Sequence, residues 1–190
     1  MGPLKRAAVE AADDDDVVVP GAATAAALTP VGRPSPLSMD VLKIMDWWNR
    51  MLEELNGATN VLVATYVIDH GSLCALLERR LSGRSEFHLE VLVDKESLES
   101  RTCVHQRPRL AALRRAGAKV YACGGKTPLG ALHMKMIILD WRIAFVGSAN
   151  LTQKSLQNAE LTMRVRGPPV SDFLAQALAV KDCGELWDGS

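Results

Sequence analysis

His133, Lys135, Asp140, Gly147, Ser148 and Asn150 fall within eighteen residues in the pattern H-x-K-x4-D-x6-G-S-x-N. The pattern joins a nucleophile, a cation, and hydroxyl and amide donors. Six specified residues, each at an ordinary usage of a few per cent, coincide by chance at about 10⁻⁸ per start position. The spacing therefore carries far more information than a lone glycine-rich loop. An imidazole is neutral near pH 7 and nucleophilic, so it can attack phosphorus and later be displaced by water. An ammonium two residues away on a strand points to the same face and can neutralise phosphate oxygens as charge builds up. Gly147 lets backbone come close to an anion, and Ser148 and Asn150 supply side-chain donors.

These residues need a strand under the imidazole and a turn beside it. Residues 132–139 and 142–146 read as two strands of a hairpin around Asp140-Trp141, with Met134 and Met136 facing the core and Asp140 a turn residue. The loop 124–130 (GGKTPLG) precedes His133 and carries Lys126. Upstream, Ser38 reads as the cap of a helix to Leu55, with Val41, Ile44, Met45, Trp48, Met51, Leu52 and Leu55 as its buried stripe. Residues 59–68 and 87–93 read as buried strands, 72–81 as a helix stopped by Gly83, 109–116 as a short helix and 118–122 as a strand. Downstream come a short helix over 151–157, a strand over 161–166 and a closing helix over 169–180. Strands alternating with helices predict an α/β layered α-β-α sandwich with a mixed central sheet. Residues 1–37, rich in Ala, Pro and Gly with aspartates at 13–16, read as a disordered acidic tail, which leaves 38–190 as one catalytic domain.

The stretch from His133 to Leu161 resembles the signature of the phospholipase D superfamily, the HKD phosphodiesterases, and the core motif has no departures from it. The resemblance implies that Asp140 and Gly147 are structural. It also implies that Glu160 is the carboxylate that hydrogen-bonds and orients the catalytic imidazole. The family mechanism takes two histidines: one becomes a phosphohistidine, while the other protonates the leaving oxygen and then activates water. His70, His88 and His105 lack the accompanying Lys and Asp, so this chain carries one motif. In this it resembles the small bacterial endonucleases and the mitochondrial cardiolipin hydrolase group, which pair two subunits. A two-fold axis supplies the second imidazole by symmetry, which predicts a C2 homodimer with the active site at its interface.

The formal net charge is zero, so no global basic field points to nucleic acid. The distribution does. Arg101, Arg107, Arg109, Arg114, Arg115 and Lys119 lie within nineteen residues, and Arg114, Arg115 and Lys126 are candidate substrate contacts. The arginines favour nucleic acid as substrate. A phospholipid such as cardiolipin is the alternative and requires an exposed apolar lip. A third reading is a non-catalytic dimer that binds phosphodiester backbones, and a fragment of a longer two-motif chain stays open. The four cysteines have no zinc-knuckle spacing and no carboxylate cluster accompanies them, so neither metal nor cofactor is expected. No apolar run approaches a membrane span and no signal peptide is evident. An intracellular, cytoplasmic location is expected, with the mitochondrial surface left open.

Overall fold

The computed structural model describes residues 36–83, 86–124 and 130–189. The expected tail lies outside them except for Pro36 and Leu37, and Lys126 lies outside them as well. Eight strands form one mixed sheet: β1 (Ser38–Leu42), β2 (Asn60–Thr65), β3 (His88–Asp94), β4 (Lys119–Cys123), β5 (Lys135–Leu139), β6 (Ile143–Gly147), β7 (Thr162–Arg166) and β8 (Glu185–Leu186), in the order β1-β7-β6-β5-β2-β3-β4-β8. β2, β3 and β4 are parallel, and every other pairing is antiparallel. The helices are α1 (Ile44–Gly57), α2 (Gly71–Gly83), the short α3 (Lys95–Glu99), α4 (Gln106–Arg115) and α5 (Pro169–Asp182).

Strand alternation divides the core into two layers. Val61, Val63, Val91, Val93, Ile137, Leu139 and Phe145 pack against Trp47, Met51 and Leu55 of α1, Leu73 and Leu77 of α2, and Leu110 and Leu113 of α4. Leu62, Ala64, Leu92, Met136, Ile138, Ala144 and Val146 pack on the other side against Val170, Phe173, Leu174 and Ala177 of α5. This is the expected α-β-α sandwich with a mixed sheet. No helix among the described residues is long and apolar enough to cross a membrane.

Two elements depart from the sequence reading. Ser38 does not cap a helix. It opens β1, which pairs along its whole length with β7, from Ser38 opposite Arg166 to Leu42 opposite Thr162. The helix begins one residue past Lys43, whose backbone is extended. Val41 and Met45 are consequently exposed, and the buried stripe of α1 is Trp47, Trp48, Met51 and Leu55. Local spacing suggested one long helix, but the strand pairing outweighs that weak propensity. The second departure is the helix expected over 151–157, which is a single 3₁₀ turn at Lys154–Gln157.

Asp140 explains the hairpin. It and Trp141 hold positive φ, 48° and 58°, at the centre of the turn closed by Arg142 N–H donating to Leu139 O at 3.0 Å. Oδ1 of Asp140 accepts from Thr59 N at 2.9 Å, Thr59 Oγ1 at 2.9 Å and Asn60 N at 2.8 Å. The turn is thereby fixed to the start of β2. Burial pushes the carboxyl up, but these hydrogen bonds more than offset it and the net pKa is depressed.

Candidate active site

β5 is antiparallel to β2, so it begins where β2 ends, with Lys135 opposite Thr65. β3 and β4 end on the same side, at Asp94 and Cys123. In open α/β sheets, ligands bind outside the carboxyl ends of the parallel strands, at a point where strand order reverses. His133 and Lys135 stand there, where β2 is flanked by parallel β3 and antiparallel β5.

His133 precedes β5 instead of lying within it, and its side chain is exposed. The strand expected from residue 132 begins at Lys135. Lys135 is only 8% exposed. Its Nζ donates to His133 O at 2.8 Å and lies 6.0 Å from the centre of the Tyr66 ring. Burial lowers the ammonium pKa from its usual 10.5, and the charge of Glu160 opposes that shift. Met134 and Met136 pack into the α5 layer, opposite the face that carries Lys135.

Sequence reasoning missed Tyr66. Its ring lies 5.7 Å from that of His133. Burial first, then the charges of Asp94, Cys103 and Glu96, hold its hydroxyl above the ordinary phenol value, so it stays a proton donor. The available signal was an aromatic residue just past a fully buried strand, at the end where a site forms.

β6 delivers Gly147, Ser148 and Asn150 to the same end of the sheet. A Cβ on Gly147 would run into Leu161 O and the Thr162 backbone, so only glycine allows β7 to pair here. Ser148 Oγ donates to Glu160 Oε2 and accepts from Leu161 N at 3.1 Å. Asn150 Oδ1 is buried and accepts no hydrogen bond from the described residues. A buried amide oxygen without a partner is costly, and any contact of Asn150 with a phosphate oxygen falls to its Nδ2 donor. The segment is held by Asp69 N and His70 N donating to Leu151 O at 3.2 and 3.1 Å. Glu160 bonds Ser148 and Asn158. Among the described residues it does not make the expected hydrogen bond to His133, although its charge acts on Lys135.

The remaining candidates separate. Arg114 and Arg115 end α4, and the chain then enters β4 at Lys119. All three cations therefore stand where β2, β3 and β4 begin, at the end of the sheet opposite His133. The arginine cluster is split, because α4 spans the height of the sheet. Only Arg101, Arg107 and Arg109 remain toward the catalytic end. Of the other histidines, His70 is buried with its ring 4.3 Å from Trp48, and His88 opens β3 at the remote end. A small cavity of about 170 Å³ beside His133 is lined by Gly124, Leu132, Met134, Val180 and Cys183. Among the described residues no group of three His, Cys, Asp or Glu could hold a metal ion.

The family model described as "Cardiolipin synthase, PLD-like domain" matches residues 51–179. No curated protein sequence matches the chain. NucT from Helicobacter pylori has a similar structure, with 18% identity and a TM-score of 0.66 over 80% of this chain and 99% of that one. Nuc from Salmonella typhimurium, a phospholipase D family member, matches at 17% identity and a TM-score of 0.66 with the same coverage, 80% and 99%. Phosphatidylserine synthase from Haemophilus influenzae matches at 12% identity and a TM-score of 0.60 over 81% of this chain and 41% of that one. At these identities the likeness establishes the fold.

Proposed function

The chain belongs to the PLD-like domain family of the phospholipase D superfamily, single-motif type, and on that premise we propose that it is a metal-independent phosphodiesterase whose site is completed by a second copy. The observation that carries the reading is the buried Lys135 ammonium bonded to the backbone carbonyl of His133, whose side chain is exposed, with Ser148 and Asn150 arriving from the next strand. His133 attacks phosphorus, forming an N–P bond as the P–O bond to the leaving group breaks. The partner's His133 gives that oxygen its proton. The partner's His133 then takes a proton from water, whose oxygen displaces the imidazole from phosphorus. Lys135, Asn150 and Ser148 hold the phosphate oxygens as charge accumulates on them. Glu160 tunes the site through Ser148 and through its charge on Lys135. Two in-line displacements retain configuration at phosphorus.

Nucleic acid is the proposed substrate class, supported by exposed Arg101, Arg107 and Arg109 toward the catalytic end. A phospholipid is the second reading. Val41, Met45 and Leu161 are 68%, 48% and 60% exposed. All three lie at the end of the sheet that carries Ser148 and Glu160, where an apolar lip would meet lipid. The test is hydrolysis of single-stranded DNA, RNA and cardiolipin vesicles side by side in EDTA. DNA or RNA is expected to be cleaved, and His133→Ala to lower the rate by about 10³-fold or more. Cleavage of the vesicles alone selects the lipid reading. Cleavage abolished by EDTA refutes the metal-free mechanism. Binding without turnover in a folded sample leaves a phosphodiester-binding dimer.

A further inference from the structure

Three polar side chains outside the motif, Asp94, Ser97 and Gln106, are fully buried, each 0% exposed. Burying such groups is unfavourable unless each finds its partners, and their partners here are informative. Asp94 Oδ1 accepts from Ser97 N at 2.9 Å, and Oδ2 accepts from Leu132 N at 2.9 Å. Leu132 immediately precedes His133. Ser97 Oγ donates to Tyr66 O at 2.6 Å and receives Gln106 Nε2 at 2.9 Å. Gln106 Oε1 accepts from Ile68 N at 3.3 Å. One connected network therefore grips the backbone under both rings, the imidazole of His133 and the phenol of Tyr66. Gly124 is shaped to admit it. Its φ is +86°, and a Cβ there would lie 2.8 Å from Leu132 N and 2.9 Å from Asp94 Oδ2.

The geometry points to Asp94, Ser97 and Gln106 as positioning residues that fix His133 against the Tyr66 ring for attack on phosphorus. The inference rests on the phosphodiesterase reading above. The network ties the ends of β2 and β3 to a segment that belongs to no strand. His133 lies outside β5 and lacks the ladder bonds that would hold it, so its placement falls to the Leu132 N–H bond and to Lys135. Displacement of a reacting group by about 1 Å can lower a rate on the order of 10²-fold.

The test uses the full chain. In Asp94→Asn one oxygen becomes an NH2 that meets a backbone N–H, so one of the two grips is lost. Ser97→Ala removes the link to Tyr66 with little change in volume, and Ser97→Thr restores a hydroxyl. Glu90→Gln, on the far part of β3, removes the charge that pairs with Lys181 of α5 and is the control for general destabilisation. Turnover of bis-p-nitrophenyl phosphate is measured together with the NMR resonance of the His133 ring, which senses the ring current of Tyr66 and needs no turnover. Asp94→Asn and Ser97→Ala are expected to lower kcat between about tenfold and 10²-fold at a KM within about twofold. Both should move the imidazole resonance toward its position in Tyr66→Leu, and Ser97→Thr should recover the rate. A lowered Tm with kcat and resonance unchanged makes the network merely structural and overturns the proposal. If the resonance moves but the wild-type chain hydrolyses no diester, the reaction is wrong and the positioning stands.

Discussion

Lys135 is the residue at which function and stability pull apart. Its side chain is nearly closed off from solvent, where the proposed reaction would bring an anion to it, and burial lowers its pKa. The sign follows from proton counts. Between the lowered folded value and the ordinary 10.5 the unfolded chain holds the extra proton, so stability rises with pH across that window. Below it, the full penalty of the buried ammonium is present. Lys135→Met is therefore expected to abolish turnover and raise the Tm measured at pH 7, by about 1 kcal/mol in stability. The same change should have little effect on Tm above the window. A lower Tm at pH 7 would mean that the ammonium stabilises the fold. The motif residues were legible in the sequence because their chemistry and spacing are local. Tyr66 was not, since it follows β2, and only the β2–β5 register sets it beside His133. The partners of Glu160 were likewise hidden, because Ser148 lies across the β6–β7 connection.

At the scale of elements, β6 and β7 depend on a residue with no side chain. Gly147→Ala should open their pairing at Thr162, destabilise the fold by about 1–3 kcal/mol and lower kcat by displacing Ser148 and Asn150. Chemical denaturation and steady-state kinetics read the two effects separately, and an unchanged midpoint would refute the tight contact. Central strands and α2 were legible because their apolar runs end at Gly or at turn residues. β1 was misread because Val41, Ile44 and Met45 happen to follow helical spacing, while the pairing that decides the matter lies more than a hundred residues away. β8 is two residues long and leaves no periodic trace. The arginine run looked like one patch because sequence proximity conceals that a ten-residue helix, lying on one face, carries its two ends to opposite ends of the strands.

At the scale of the whole molecule, the proposed reaction takes two imidazoles, and the H-x-K motif occurs once in the chain. A C2 pair answers that need without another gene product. The expected behaviour is a dimer in sizing experiments, with specific activity falling on dilution as the pair dissociates. An active monomer would show that the second proton carrier lies within the chain. The most direct measurement quenches the protein in acid-free denaturant during turnover of a phosphorus-labelled diester and maps the label by peptide mass spectrometry. Label on His133, acid-labile and absent from His133→Ala, is the predicted result; full turnover with no label on that imidazole contradicts it.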